Sequence, residues 1–225
     1  MVGSARTARE KMPLSHNLVG QRLGRKGRGT RERILAATER LLGDPEATIS
    51  LSAVAREAAL GMTTLYLYFS DLTELLLALL EPVVASAEES HMAHTRKHWA
   101  SENLRQNCQE FVSSYYAYWK RNAGILHLRN SLADSGNERM GVHRIASSQP
   151  LIELIIHQMG CEEAEITSPT GAMAVVLITG IERVTTLITR PSFSPAGLPE
   201  SYLRNLLAAQ ARLLELAIRD HREVG

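Results

Sequence analysis

The spacing of apolar positions along the chain predicts a succession of helices and no strand. Ile34, Ala37, Thr38, Leu41 and Leu42 share one face of a helix that begins after Thr30 and runs to about Gly43. Asp44-Pro45 should stop it, because proline pushes the residue before it out of the helical region. Ser50 is placed to cap a short helix from Leu51 to about Ala58, with Leu51, Val54 and Ala55 turned inward. A break at Ala59, Leu60 and Gly61 leads to a third helix, Met62 to about Phe69. Ser70 can cap a fourth, Leu-rich helix, with Asp71 and Glu74 near its positive end, and Pro82 should kink or divide it. Further helices fall near 84–98, 102–121, 124–133, 138–159, 168–189 and 199–222, with Pro150, Pro169, Pro191, Pro195 and Pro199 as breaks or starts.

The expected fold class is therefore all-α: an N-terminal three-helix helix-turn-helix domain plus a larger C-terminal helical domain. The divisions read from the pattern are a flexible basic arm at 1–29, a helix-turn-helix at 30–75 and the larger domain at 76–225. Gly20, Gly24, Gly27 and Gly29 punctuate the arm without a helical period.

Composition narrows the class. At 44% hydrophobic residues the 225-residue chain can build a core, and few aromatics beside abundant Ala and Leu favour helices. Cys108 and Cys161 are too few for a disulfide scaffold and read as reduced thiols. The longest apolar run, Ala172 to Ile181, ends at Glu182 and is short for a membrane span, and no apolar stretch follows the N-terminal cations. A cytoplasmic protein without a membrane partner is expected.

Charge adds a division that the net value of +1 conceals. Residues 1–33 hold nine basic side chains against Glu10 and Glu32, whereas the rest of the chain holds sixteen basic and twenty-two acidic ones. A cationic end on an acidic body suits a polyanion touched at one end only. Three short helices, the last two joined by a tight turn, are what a major-groove reader requires: the second helix braces and the third presents its N-terminal side chains to base edges.

The run from Ser50 to Phe69 sharpens this. It resembles the signature of the TetR (tetracycline-repressor-like) family, T-x-x-x-I-A-x-x-A-G-V-S-x-x-T-L-Y-x-Y-F, through Ser50, Val54, Ala55, Ala58, Leu60, Thr64, Leu65, Tyr66, Tyr68 and Phe69. The opening helix, from Arg31 to Ala37, is similar as well, and the resemblance covers roughly residues 30–80. It departs in two places: the turn glycine is Ala59, and the lysine that usually grips a phosphate after the last aromatic is Leu72. Residues 34–70 are also net acidic, with Arg40 and Arg56 against Glu39, Asp44, Glu46 and Glu57. The arm is therefore expected to supply much of the electrostatic affinity through Arg25, Lys26, Arg28 and Arg31, by entering an adjacent minor groove. Ser50, Ser52, Thr63, Thr64, Tyr66 and Tyr68 are the expected contacts from the second and third helices, with Tyr68 favoured for phosphate.

The resemblance implies a transcription regulator, most simply a repressor released from a pseudo-palindromic operator on double-stranded DNA by a small molecule in the C-terminal domain. It also implies a homodimer paired through the last two long helices, where Val175, Val176, Leu213 and Leu214 lie at helical spacing and Gly171 and Gly180 allow close approach. For the effector pocket, Phe111, Tyr115, Tyr118, Trp119, Leu126, His127, Asn130 and Met140 mix apolar walls with polar anchors.

Two alternatives stay open. His91, His94 and His98 lie on one side of a helix and could make a metal-responsive regulator, although three imidazoles on one helix rarely converge on one ion. An enzyme is the other, disfavoured because no phosphate loop, H-E-x-x-H or G-x-S-x-G is present. No cofactor and no resident metal are expected.

Overall fold

The computed structural model describes residues 24–44, 46–161, 165–190 and 200–224, and all regular structure among them is helical. The chain divides into two compact units, Met1–Leu75 and Leu76–Gly225.

The first unit holds α1 (Arg25–Leu42), α2 (Leu51–Glu57) and α3 (Met62–Tyr66). α1 begins six residues before the predicted start, so Arg25, Lys26 and Arg28 belong to a helix and not to an irregular arm. The Arg28 N–H donates to the Gly24 carbonyl at 3.0 Å, and the Thr30 hydroxyl donates to the Lys26 carbonyl at 3.1 Å, which carries the ladder past Gly27 and Gly29. Ile34, Ala37, Val54, Leu65 and Phe69 form the core of this unit. α3 closes at Tyr66, earlier than predicted, and Tyr68 and Phe69 follow in a turn whose N–H groups both reach the Leu65 carbonyl.

α4 (Leu72–Ala87) starts in the first unit and ends in the second. Its cap differs from the expected one. The Asp71 carboxylate, not the Ser70 hydroxyl, accepts the Glu74 N–H at 2.7 Å, while Glu74 Oε2 reaches back to accept both the N–H and the hydroxyl of Ser70. Pro82 does not divide the helix. α4 passes directly into a π-helical turn, Glu88–Met92, and the single turn α5 (Ala93–Thr95), so the predicted helix at 84–98 is the tail of α4.

The second unit continues with a 3₁₀ turn (Ser101–Asn103), α6 (Leu104–Arg121), α7 (Ala123–Asp134), α8 (Glu138–Gln158), α9 (Pro169–Ile188) and α10 (Glu200–Val224). The cap residues explain several starts: the Asn137 side chain accepts from the Met140 N–H, and the Ser168 hydroxyl accepts from the Gly171 N–H just ahead of Pro169 at the first helical position. α8 runs through Pro150. α10 lies mainly on α6, while α7, α8 and α9 pack in succession. Trp99, Leu104, Phe111, Trp119, Leu126, Met140 and Ile155 fill the core.

The Gln158 side chain, fully buried, donates to the carbonyls of Thr95 and Lys97 and accepts the Trp99 N–H. Arg222, near the end of α10, donates to the carbonyls of Gln158 and Trp99 at 2.7 Å each and so closes the end of α8. In α9 the expectation of no span-length helix needs correcting, since it is long and apolar enough to cross a membrane by length and composition alone. The sequence reading stopped at Glu182, but that carboxylate lies among protein partners, and Ala174, Leu177, Ile178 and Ile181 are buried within the unit. Gly171 serves this packing too: a Cβ there would collide with the carbonyls of Glu165 and Ile166, so its smallness is used inside the subunit.

Candidate functional site

In the first unit the turn between α2 and α3 is made by Ala59 at φ +50°, the left-handed conformation that glycine adopts without penalty. For an L residue this costs about 1 kcal/mol. The turn sets the direction of α3 relative to α2, and the buried Leu65 anchors it. On the opposite side of α3, Thr63 and Tyr66 are exposed, and Thr64 and Tyr68 are half-buried. Ser50 is occupied as the cap of α2, its Oγ accepting the Ala53 N–H at 3.2 Å and lying 3.1 Å from Ser52 Oγ; Ser52 itself is exposed.

Arg25, Lys26 and Arg28 are exposed on the first turns of α1. That end has no side-chain cap and no acidic residue. Cations at the positive end of a helix are unfavourable, and an anion docked there would relieve both the dipole and the uncapped N–H groups. Arg31 behaves differently. It is half-buried, and its guanidinium sits over the Phe69 ring, 5.4 Å from the centroid. Arg40 is taken by Glu57 at 2.7 Å, which ties α1 to α2. The cations at Arg6, Arg9, Lys11 and Arg22 lie outside the described residues.

Two openings lie among the described residues of the second unit. The larger, about 1080 Å³, is a groove bordered by α7, α8 and α9 and lined by His127, Asn130, Arg144, Val175 and Glu182 among others. The smaller, about 300 Å³, lies among the ends of α4 and the π turn, α6, α7 and α8, with Tyr115, Tyr118, Trp119 and Leu126 on its wall. The eight residues expected to bind an effector are thus dispersed. Four face the smaller cavity and two, His127 and Asn130, face the groove. Phe111 and Met140 line neither and are fully buried core. His127 is further engaged with Thr189 Oγ1 at 3.1 Å and lies edge-on to Trp119.

Three residues at the cavity were not anticipated as wall residues. Arg129 is buried, and its guanidinium donates to Asn130 Oδ1 at 3.0 Å, to Ser147 Oγ at 3.1 Å and to Glu182 Oε1 at 3.4 Å, against the Trp119 ring. Burial lowers its pKa, and the Glu182 carboxylate works in the opposite direction. Glu182 also accepts from Asn130 Nδ2 at 3.1 Å. The third is His91, which sits in the π turn and is 3% exposed, ringed edge-on by Phe111, Tyr115 and Tyr118. Burial pulls its pKa down to about 4, so it is neutral near pH 7. Its Nδ1 has no hydrogen-bond partner. The same burial pushes the Tyr115 and Tyr118 hydroxyls upward, and it raises the Cys108 thiol to about 12, which makes that cysteine a poor nucleophile.

The histidine metal cluster is overturned. His91 points among aromatic rings, His94 packs on Trp99 and lies 3.7 Å from Glu110, and His98 is exposed. Among the described residues no group of three His, Cys, Asp or Glu side chains is placed to hold a metal ion.

No protein-family pattern and no curated protein matches the chain. Solved structures do. A TetR-like transcriptional regulator from Rhodococcus sp. RHA1 is 19% identical, with a TM-score of 0.54 over 88% of this chain and 96% of that one. A TetR family transcription regulator from Marinobacter aquaeolei VT8 is 15% identical, with a TM-score of 0.53 over 85% of this chain and 96% of that one. At such low identity the likeness speaks for architecture, and on that basis the chain has the all-helical fold of TetR-family transcription regulators.

Proposed function

We propose that the chain is a DNA-binding transcription regulator, a cytoplasmic homodimer whose operator affinity is lowered by a small molecule held in the second unit. The observation that carries the reading is the first unit's exposed face. Thr63 and Tyr66 stand out on a helix fixed by the Ala59 turn, and the same unit bears exposed Arg25, Lys26 and Arg28 on an uncapped helix start. Hydroxyl and aromatic groups on a short, rigid helix suit base edges, and the α1 cations suit phosphates. Thr64, Tyr68 and Ser52 are placed as supporting contacts. Ser50 acts through the cap, and Arg31 holds Phe69 as well as adding charge.

Dimerisation is supported by apolar stripes that one chain leaves uncovered: Met173, Val176 and Leu187 on α9, and Tyr202, Leu213 and Leu216 on α10. Gly180 is open to approach by a partner helix. Two copies related by a two-fold axis would read half-sites about 34–36 Å apart, hence a pseudo-palindrome. An effector is supported by the 300 Å³ cavity, whose wall includes Val84, Ala85 and Ala87 from the far end of α4, the helix that begins in the DNA-reading unit. A ligand that favours one setting of α4 would thereby change the affinity for DNA. The protein is read as a binding protein and not an enzyme, because the charged groups beside the cavity are engaged with one another and both structural neighbours are named as regulators.

Selection of bound fragments from a random duplex library, followed by titration at increasing salt, tests the reading. One recovered pseudo-palindrome, with affinity falling steeply as salt rises, is expected. Recovery of no preferred sequence would overturn it.

A further inference from the structure

Every ionised side chain on the wall of the 300 Å³ cavity already faces an opposite charge. Arg96 makes a two-pronged pair with Glu88 at 2.8 Å and 2.8 Å, Arg144 meets Asp134 at 2.7 Å, and Arg129 meets Glu182. A charged ligand entering here would shed its water without finding an unclaimed counter-charge, which is strongly unfavourable.

One polar residue on the same wall stands differently. His91 Nδ1 is buried without a partner on a ring wedged among three aromatic side chains. An unpaired buried polar atom rewards a ligand that completes it. A neutral imidazole nitrogen can serve a hydroxyl in either direction, as donor or acceptor according to tautomer. Ser147 and Ser148 on this wall already donate their hydroxyls to carbonyls of their own helix, and the remaining wall is apolar or aromatic, including Tyr115, Tyr118, Trp119 and Leu151. The volume is about twice that of the roughly 150 Å³ apolar cavity known to take benzene, so two fused rings fit.

We propose that this cavity takes a compact, uncharged aromatic molecule of about two fused rings whose single hydroxyl hydrogen-bonds His91. The proposal rests on the reading of the second unit as an effector domain and names the class of ligand it accepts.

Three matched probes test it by calorimetry on the full chain without DNA at pH 7.5: 2-naphthol, 2-naphthoate and 2-methylnaphthalene. The unaltered protein is expected to bind 2-naphthol at least about tenfold more tightly than either of the others. His91→Phe keeps an aromatic ring in the wedge and removes the nitrogen, and it should erase the preference for 2-naphthol over 2-methylnaphthalene. Should that variant fail to fold, the three-way comparison on the unaltered chain still decides. Equal or tighter binding of 2-naphthoate would overturn the proposal in favour of a carboxylate site at Arg129 and Arg144. Equal binding of 2-methylnaphthalene, or no binding of 2-naphthol below millimolar concentration, would overturn it as well. A ligand-free gel shift on the selected duplex separates the two readings. DNA binding without naphthol selectivity defeats the ligand class alone, and naphthol selectivity without DNA binding defeats the regulator reading alone.

Discussion

The two units use polar side chains in opposite ways. In the first, Thr63, Tyr66, Arg25, Lys26 and Arg28 face solvent, and the polar contacts that fix the scaffold include a cap at Ser50, the Arg40–Glu57 pair and Arg31 over Phe69. In the second, Arg129, Glu182, Gln158 and Arg222 turn inward and are joined by hydrogen bonds spanning helices distant in sequence. A surface that must meet a polyanion keeps its donors uncommitted, and one that encloses a small molecule must first neutralise its own charges. The contrast is therefore energetic. Changes in the first unit should alter binding with little effect on stability, and changes in the second should alter stability first.

The largest effect should come from Glu182→Ala, which strands the buried Arg129 guanidinium. Loss of one partner of a buried pair is expected to cost about 3 kcal/mol in chemical denaturation, with the Arg129→Met/Glu182→Leu double variant recovering most of it. Failure of the double variant to recover would mean that the network, and not the ion pair, carries the stability.

Replacing Arg25, Lys26 and Arg28 together by Ala should weaken duplex binding by about a hundredfold at moderate salt and reduce the slope of log affinity against log salt by about 3. Fluorescence anisotropy reads both quantities. A stability change comparable with the first case would break the contrast between units.

Acid comes next in size. The folded value for His91, about 4, lies below its ordinary 6.5, so the unfolded chain takes up the proton first. Its contribution is whole above about pH 6.5 and is lost progressively as pH falls toward 4. His127 and His143, also lowered chiefly by burial, act in the same direction. About 2 kcal/mol should disappear between pH 7 and pH 5 through His91 alone, and His91→Phe should flatten that part of the curve in urea titrations. The smallest effect is a gain: Ala59→Gly should raise stability by about 1 kcal/mol and leave DNA affinity unchanged within twofold, because the left-handed turn is retained without strain.

Sequence patterning reached most of the helices and the α2–α3 corner, because their signals are local. Apolar period, the cap at Ser50, the start at Pro169 and the Thr64 to Phe69 run all lie within a few residues of what they specify. It misplaced the start of α1, where closely spaced glycines resemble a linker, and it expected Pro82 to interrupt a helix that continues. The cavity was legible only in part. Tyr115, Tyr118, Trp119 and Leu126 could be picked out as apolar or aromatic, but Arg129 was not, although it falls three and four residues after Leu126 and Ile125 on the buried face of α7. That spacing was the available signal for it. Glu182 had a similar one, lying between Ile178, Ile181 and Thr185 on α9. His91 gave none, since its burial arises from rings on α6 and a π turn that no local period announces.

The guanidinium of Arg222 is a latch thrown from the far terminus, closing on segments more than sixty and one hundred and twenty residues upstream. Cleavage just ahead of it would release the end of α8 and the stretch around Trp99 together, which border the same aromatic cluster that grips His91. Shortening α10 far enough to lose Arg222 would strip both carbonyls of that donor at once.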